Sequence, residues 1–189
     1  LGSVHLLKAE HYPLPAVIDS AYTNSKVVAF ETDIAELEQP ETQFKILSRA
    51  TLPEGQTLRD QLSPAVYNSF NQHLQEFGLP AVIFDQWKPS VAAMTLEVLA
   101  LQKLGLDPEY GVDKHFYKRA KSDGKEIVSL ETVDFQISLV TDFPKGEGEL
   151  WVKSTLSEMD RMKTQYDEML AAWQNGDAAK LEKVLNDSM

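Results

Sequence analysis

Cysteine is absent from the 189 residues, which excludes disulfides and thiolate metal sites and agrees with either a cytosolic or an exported protein. No apolar run reaches the roughly 18 residues that a membrane-spanning helix needs, and none begins with the basic stretch of a signal peptide. Positive charge is scarce as well. Eighteen Lys and Arg stand against 29 Asp and Glu, and the formal charge of −11 repels phosphate backbones and anionic membrane surfaces, so nucleic acid is dropped as a partner. No Gly-rich phosphate loop, nucleophile elbow or His-Glu-x-x-His pair occurs, which removes the usual signatures of nucleotide-dependent and zincin-type chemistry.

What is present is a hydrophobic content of 43%, enough for one globular core over residues 1–189, with residues 144–189 as a helical extension of it. Short apolar stretches alternate with helical patterns, so the expected class is α/β: a small central, mostly parallel sheet surrounded by many helices. Residues 1–6 read as the tail of a strand, and the chain opens on Leu, from which we expect sequence upstream. Lys26-Val-Val-Ala-Phe-Glu31-Thr32 reads as a buried strand, and Glu126-Ile-Val-Ser-Leu-Glu131 as a second one. Between them, residues 33–62 are expected to hold one short helix in a long excursion. Ser63-Pro64 opens a helix that Gly78 ends; Leu79 to Trp87 and Pro89 to Leu104 follow as two more, with Met94, Val98 and Leu101 on the core stripe. Asp113 starts a helix that Gly124 stops, and the spacing from Trp151 to Trp173 predicts one long amphipathic helix.

A weak internal repeat directs attention to chemistry. Helix followed by Lys26-Val-Val-Ala-Phe-Glu-Thr is echoed by helix followed by Lys125-Glu-Ile-Val-Ser-Leu-Glu-Thr, so each strand ends in a glutamate. Ligands of parallel α/β sheets bind beyond the carboxyl ends of the strands, where His5, Glu31 and Glu131 are expected if three strands run parallel. A histidine beside carboxylates can ligate a divalent metal that activates water for hydrolysis. Gly2, three residues before His5, suits a tight turn or a close approach of ligand. The residues also allow plainer readings. Gly2-Ser3 can be a cloning scar, Glu131 can serve the next helix through its charge, Lys88 can be an exposed lysine, and His115 can lie on the surface. His11 reads as a solvated loop residue and His73 as a surface residue.

Taken in order, Gly2-Ser3-Val4-His5 with Lys8 and Tyr12-Pro13-Leu14-Pro15, Val28-Ala29-Phe30-Glu31, Lys88-Pro89, Gly111-Val112-Asp113, Leu130-Glu131-Thr132 with Gln136, and Trp173-Gln-Asn-Gly176-Asp177 closely resemble the TraB/GumN family, which includes the Tiki proteins. That ordered series argues against the scar. The resemblance implies a metal-dependent peptidase, supported by manganese, cobalt or zinc, acting on a peptide or protein. It also implies a fold related to erythromycin esterases and a haem-binding lipoprotein group, and export to the periplasm or cell surface. Carried over, His5 and Glu31 are the metal ligands, with Glu131 as catalytic base or outer partner. Lys88, Asp113 and His115 line a substrate cleft, and Gly2 and Gly111 are structural. The family's second Gly-x-x-His has no counterpart between Glu131 and Met189. From this we expect a fragment, whose open sheet edges invite a homo-oligomer. Two other functions stay in view: a peptide- or pheromone-sequestering protein without catalysis, and a haem-binding protein.

Overall fold

The computed structural model describes residues 3–144 and 146–186. It is mainly helical, with a small parallel sheet of two strands, β1 (Val27–Phe30) and β2 (Glu126–Ser129). The helices are α1 (Ala16–Asn24), α2 (Ile34–Leu37), α3 (Pro40–Ala50), α4 (Leu58–Gln61), α5 (Pro64–Glu76), α6 (Pro89–Lys103), α7 (Val112–Asp123), α8 (Val133–Thr141), α9 (Glu147–Glu158), α10 (Met162–Gln174) and α11 (Ala178–Asn186). The chain divides into two compact units. Unit 1 comprises Leu1–Ala29, Leu101–Val128 and Glu158–Met189, and unit 2 comprises Phe30–Ala100 and Ser129–Ser157.

In unit 1 the organising residue is Tyr22 of α1, which is only 6% exposed. Its ring packs on Phe116 at 5.0 Å between centroids, lies beneath the Arg119 guanidinium at 4.2 Å, and meets the Lys125 ammonium at 4.5 Å. Its hydroxyl donates to Asp123 at 2.7 Å. Lys125, the residue before β2, donates to the carbonyls of Tyr22 and Ser25, so one cation satisfies groups that the end of α1 leaves open. Gly124, at φ +66°, ends α7 in the left-handed region and lets the chain turn into β2.

In unit 2, α5 supplies Phe70 and Leu74, both fully buried, and the Phe84 ring meets Phe70 edge-on at 5.6 Å. The last carbonyls of α8 are met by the segment that opens α6. Lys88 Nζ donates to Thr141 O at 3.0 Å and Ser90 Oγ to Val140 O at 2.6 Å. Gly148 of α9 sits against Pro89, where an added Cβ would come 3.0 Å from the proline Cβ.

Several expectations give way. Residues 3–6 form no strand; Leu7 makes a single antiparallel bridge with Asp107, so His5 stands on a loop and not at a strand end. The strand read as buried has one buried residue, Phe30, while Val27 is 44% exposed. Residues 33–62 hold three helices, because Asp33, Pro40 and Thr57 each start one: Asp33 and Thr57 accept backbone N–H groups, and Pro40 fills a first-turn position. Only a short 3₁₀ turn, Ala81–Phe84, occupies the segment expected as a helix before Trp87. The α6 residues that are buried are Ser90, Val91, Ala92, Ala93 and Leu96; Met94, Val98 and Leu101 are half-buried. The long helix from Trp151 to Trp173 is broken at Met159–Arg161 into α9 and α10.

The Tyr22 environment has a pH signature. Burial first, and the Asp123 hydrogen bond second, push its hydroxyl from 10.0 up to about 12. Because the folded value is the higher one, this contribution to stability is complete below pH 10.0 and is lost as pH rises through about 12. In alkaline unfolding experiments, Tyr22→Phe removes that part of the loss. A wild-type and a Tyr22→Phe chain with identical pH dependence between those limits would refute the assignment.

Candidate functional site

The predicted residues fall into two clusters, each within one unit. In unit 1, the loop of residues 3–7 is held from three sides. Val4 O accepts from Val112 N at 2.9 Å, Leu7 pairs with Asp107 through bonds of 2.8 and 3.4 Å, and Tyr166 of α10 donates its hydroxyl to Leu6 O at 2.8 Å. Leu7 itself is fully buried. Burial also raises the Tyr166 hydroxyl to about 12. The His5 imidazole, 58% exposed, projects from this clamped loop with Nδ1 3.3 Å from Oδ1 of Asp113.

Gly111 makes the clamp sterically feasible. A Cβ there would lie 2.9 Å from Asp113 Oδ1 and 3.0 Å from the His5 carbonyl carbon, and closer still to the His5 carbonyl oxygen. Its φ of −56° is open to any residue, so the demand for glycine here is one of space. Gly2, expected to play a similar part, lies outside the described residues. Asp113 does not cap α7. It occupies the first turn, where a carboxylate is favoured by the helix dipole, and it accepts from Ser3 Oγ at 3.5 Å.

His115, one residue pair further along α7, is half-buried, with its ring 4.9 Å from both Tyr12 and Phe116. Burial lowers its pKa below 6.5, the Arg119 charge adds to this, and Asp19 opposes it. The Tyr12 hydroxyl donates to Tyr110 O at 2.8 Å. Its pKa is raised, first by burial and then by the nearby Asp113 charge.

In unit 2 the two glutamates that follow the strands are neighbours: Glu131 N donates to Glu31 O at 2.8 Å. Both side chains belong to exposed residues. Glu131 accepts a hydrogen bond from Gln136 Nε2, which engages one of its oxygens. The helix-capping role open to Glu131 is taken by Thr132, whose Oγ1 accepts from Phe135 N at 3.2 Å. Thr32, beside Glu31, is 8% exposed and its Oγ1 makes no hydrogen bond among the described residues. Lys88 is directed at the end of α8, as described above. His11 caps its own 3₁₀ turn by accepting from Lys8 N at 3.0 Å, and His73 is half-buried beside Glu76, not on the surface.

As donors for a metal, unit 1 offers one imidazole backed by a carboxylate, and unit 2 two exposed glutamates joined through their backbones. Both are chemically suited to manganese, cobalt or zinc. Among the described residues no group of three or more His, Cys, Asp or Glu side chains stands together as a metal centre. Tyr12, Tyr166 and Gln136 are the supporting residues that motif reading alone did not rank, since each acts through a partner distant in sequence or through a single side-chain bond.

The chain matches the TraB/PrgY/gumN family over residues 1–189 and belongs to it. It is 26% identical over 175 residues to the uncharacterised protein YbaP of Escherichia coli strain K12, and equally to YbaP of Shigella flexneri. Those alignments cover 93% of this chain and 63% of each relative, so the chain spans about two-thirds of the length of the curated relatives it matches. No solved structure matches it. Among the described residues, no helix is long and apolar enough to cross a membrane.

Two outcomes follow. Gly111→Ala forces residues 4–6 away from α7 and costs about 1–3 kcal/mol in denaturant unfolding; an unchanged midpoint would contradict the contact. His115, monitored by proton NMR, titrates below 6.5, and because its folded pKa is the lower one, the associated stability is present above 6.5 and lost as pH falls.

Proposed function

We propose that the full-length protein is a metal-dependent peptidase acting on a peptide or protein substrate. The observation that carries this reading is His5: an accessible imidazole on a rigidly held loop, backed by a carboxylate, at the position where the family resemblance expects a ligand. By the family resemblance, His5 and Glu31 are each candidate metal ligands. A catalytic centre of this kind has three protein ligands and an open position, so a further donor is required beyond these two. When bound, the metal supplies a water acidic enough to attack a carbonyl near neutral pH.

The chain's own residues then have defined work. Gln136 holds one oxygen of Glu131 and leaves the other to accept a proton, the property a general base needs. His115, whose pKa burial lowers, offers a polar edge to a peptide. The scarcity of positive charge suits a substrate that is not strongly acidic. The reading also includes the finer fold, in which the β1–β2 pair belongs to the sheet of the erythromycin-esterase and haem-lipoprotein type, and export to the periplasm or cell surface.

Peptidase assays of the full-length protein with manganese or cobalt test it. Chelation abolishes turnover, and His5→Ala and Glu31→Gln each lower it by more than the ~100-fold that loss of an outer partner costs a metal site. Equal metal-stimulated turnover in wild type and His5→Ala removes His5 from the mechanism. Chelator-insensitive binding of peptide without cleavage replaces the peptidase by a sequestering protein.

A further inference from the structure

We infer that Asp113 is the positioning residue of His5, selecting the imidazole tautomer that carries its proton on Nδ1 and its lone pair on Nε2. The inference rests on the reading of His5 as a ligand only for its consequence; the tautomer itself follows from the local contact.

Four observations on unit 1 converge on it. Oδ1 of Asp113 lies 3.3 Å from His5 Nδ1, across 108 positions of sequence. An ionised carboxylate only accepts, and a neutral imidazole has one proton to give, so that proton is drawn to the nitrogen facing the carboxylate. The same Oδ1 accepts from Ser3 Oγ at 3.5 Å, two residues before the histidine, so both polar side chains at this end of the loop face one oxygen. Gly111 leaves room for that oxygen, because a side chain at 111 would intrude within 2.9 Å of it. Asp113 is also the more shielded member of the pair, its side chain 26% exposed against 58% for His5, as expected of the group that orients the other.

A first-turn acid can also serve its helix alone. That role is blind to which imidazole nitrogen holds the proton, so the tautomer separates the two. A histidine that binds metal through one nitrogen is commonly fixed through the other by a carboxylate, and loss of that partner typically weakens metal binding by 10–100-fold.

The test is nitrogen–proton correlation NMR on the 189-residue chain with ¹⁵N-labelled histidine, at a pH where His5 is neutral and with no metal added. The expected wild-type spectrum shows the Nδ1–H form at His5. Asp113→Asn, which keeps an acceptor oxygen, preserves that form, and Asp113→Ala moves His5 toward Nε2–H. Should Asp113→Ala fail to fold, the wild-type and Asp113→Asn spectra still decide. An Nε2–H form in wild type, or an unchanged Nδ1–H form in folded Asp113→Ala, overturns the inference. Titration with manganese alone is then read separately in the full-length protein, where Asp113→Ala lowers affinity by about 10–100-fold. If wild type shows the expected tautomer and binds no manganese, the peptidase reading fails while the positioning role of Asp113 stands.

Discussion

The loop carrying His5 is held by a contact that tolerates no extra atom, the approach of the His5 backbone to Gly111. Around it, the Val4–Val112 hydrogen bond, the Leu7–Asp107 bridge and the Tyr166–Leu6 bond turn an irregular segment into a fixed one. Each neutral bond contributes only about 0.5–1.5 kcal/mol, and the burial of Leu7 among them adds on the order of 1.5–3 kcal/mol. The Val4–Val112 bond matters beyond its strength. Val112 is the first residue of α7, and its N–H is one that a helix cannot satisfy internally. The loop meets that need and receives in return a fixed start of helix, from which Asp113 and His115 are presented.

The two strand ends are built by a shared local rule. Glu31-Thr32-Asp33 leads into α2 with Asp33 accepting its first amides, and Glu131-Thr132 leads into α8 with Thr132 doing the same. In both places the capping task falls to a residue after the glutamate, which leaves the carboxylate for other work. Gln136, one turn into α8, takes up one oxygen of Glu131. The glutamates adjoin through the backbone bond between residues 31 and 131, so the repeat in sequence is a true neighbour relation in space.

Much of this was legible in the sequence wherever the cause was local. Ser63-Pro64 and Gly78 bound α5, Gly124 ends α7 with positive φ, and the short runs Val27–Phe30 and Glu126–Ser129, each with β-branched residues, become strands, because each feature acts within a few residues of itself. Faces and partners were less legible. The α6 stripe was misjudged because small residues, Ala92 and Ala93, permit close packing on a face that a search for large apolar side chains overlooks. Residues 33–62 hold three helices where one is expected, because Pro40 sits where a helix starts and Asp33 and Thr57 cap two others. At the site, residue types at 5, 31, 111 and 131 stood out by their order in the chain, and family membership supports that order. The pairing of His5 with Asp113 left no such trace. It joins residues 108 positions apart, and no spacing rule encodes a contact that only the folded loop creates.

The most direct measurement of the account is native-state amide hydrogen exchange at Val112. First-turn amides of a helix ordinarily exchange freely, since they have no acceptor within it. If the loop of residues 3–7 is clamped as described, the Val112 amide exchanges slowly, at a rate comparable to amides in the middle of α7. Exchange at the rate of an unprotected amide would mean that the loop is not fixed, and that His5 has no defined place from which to act.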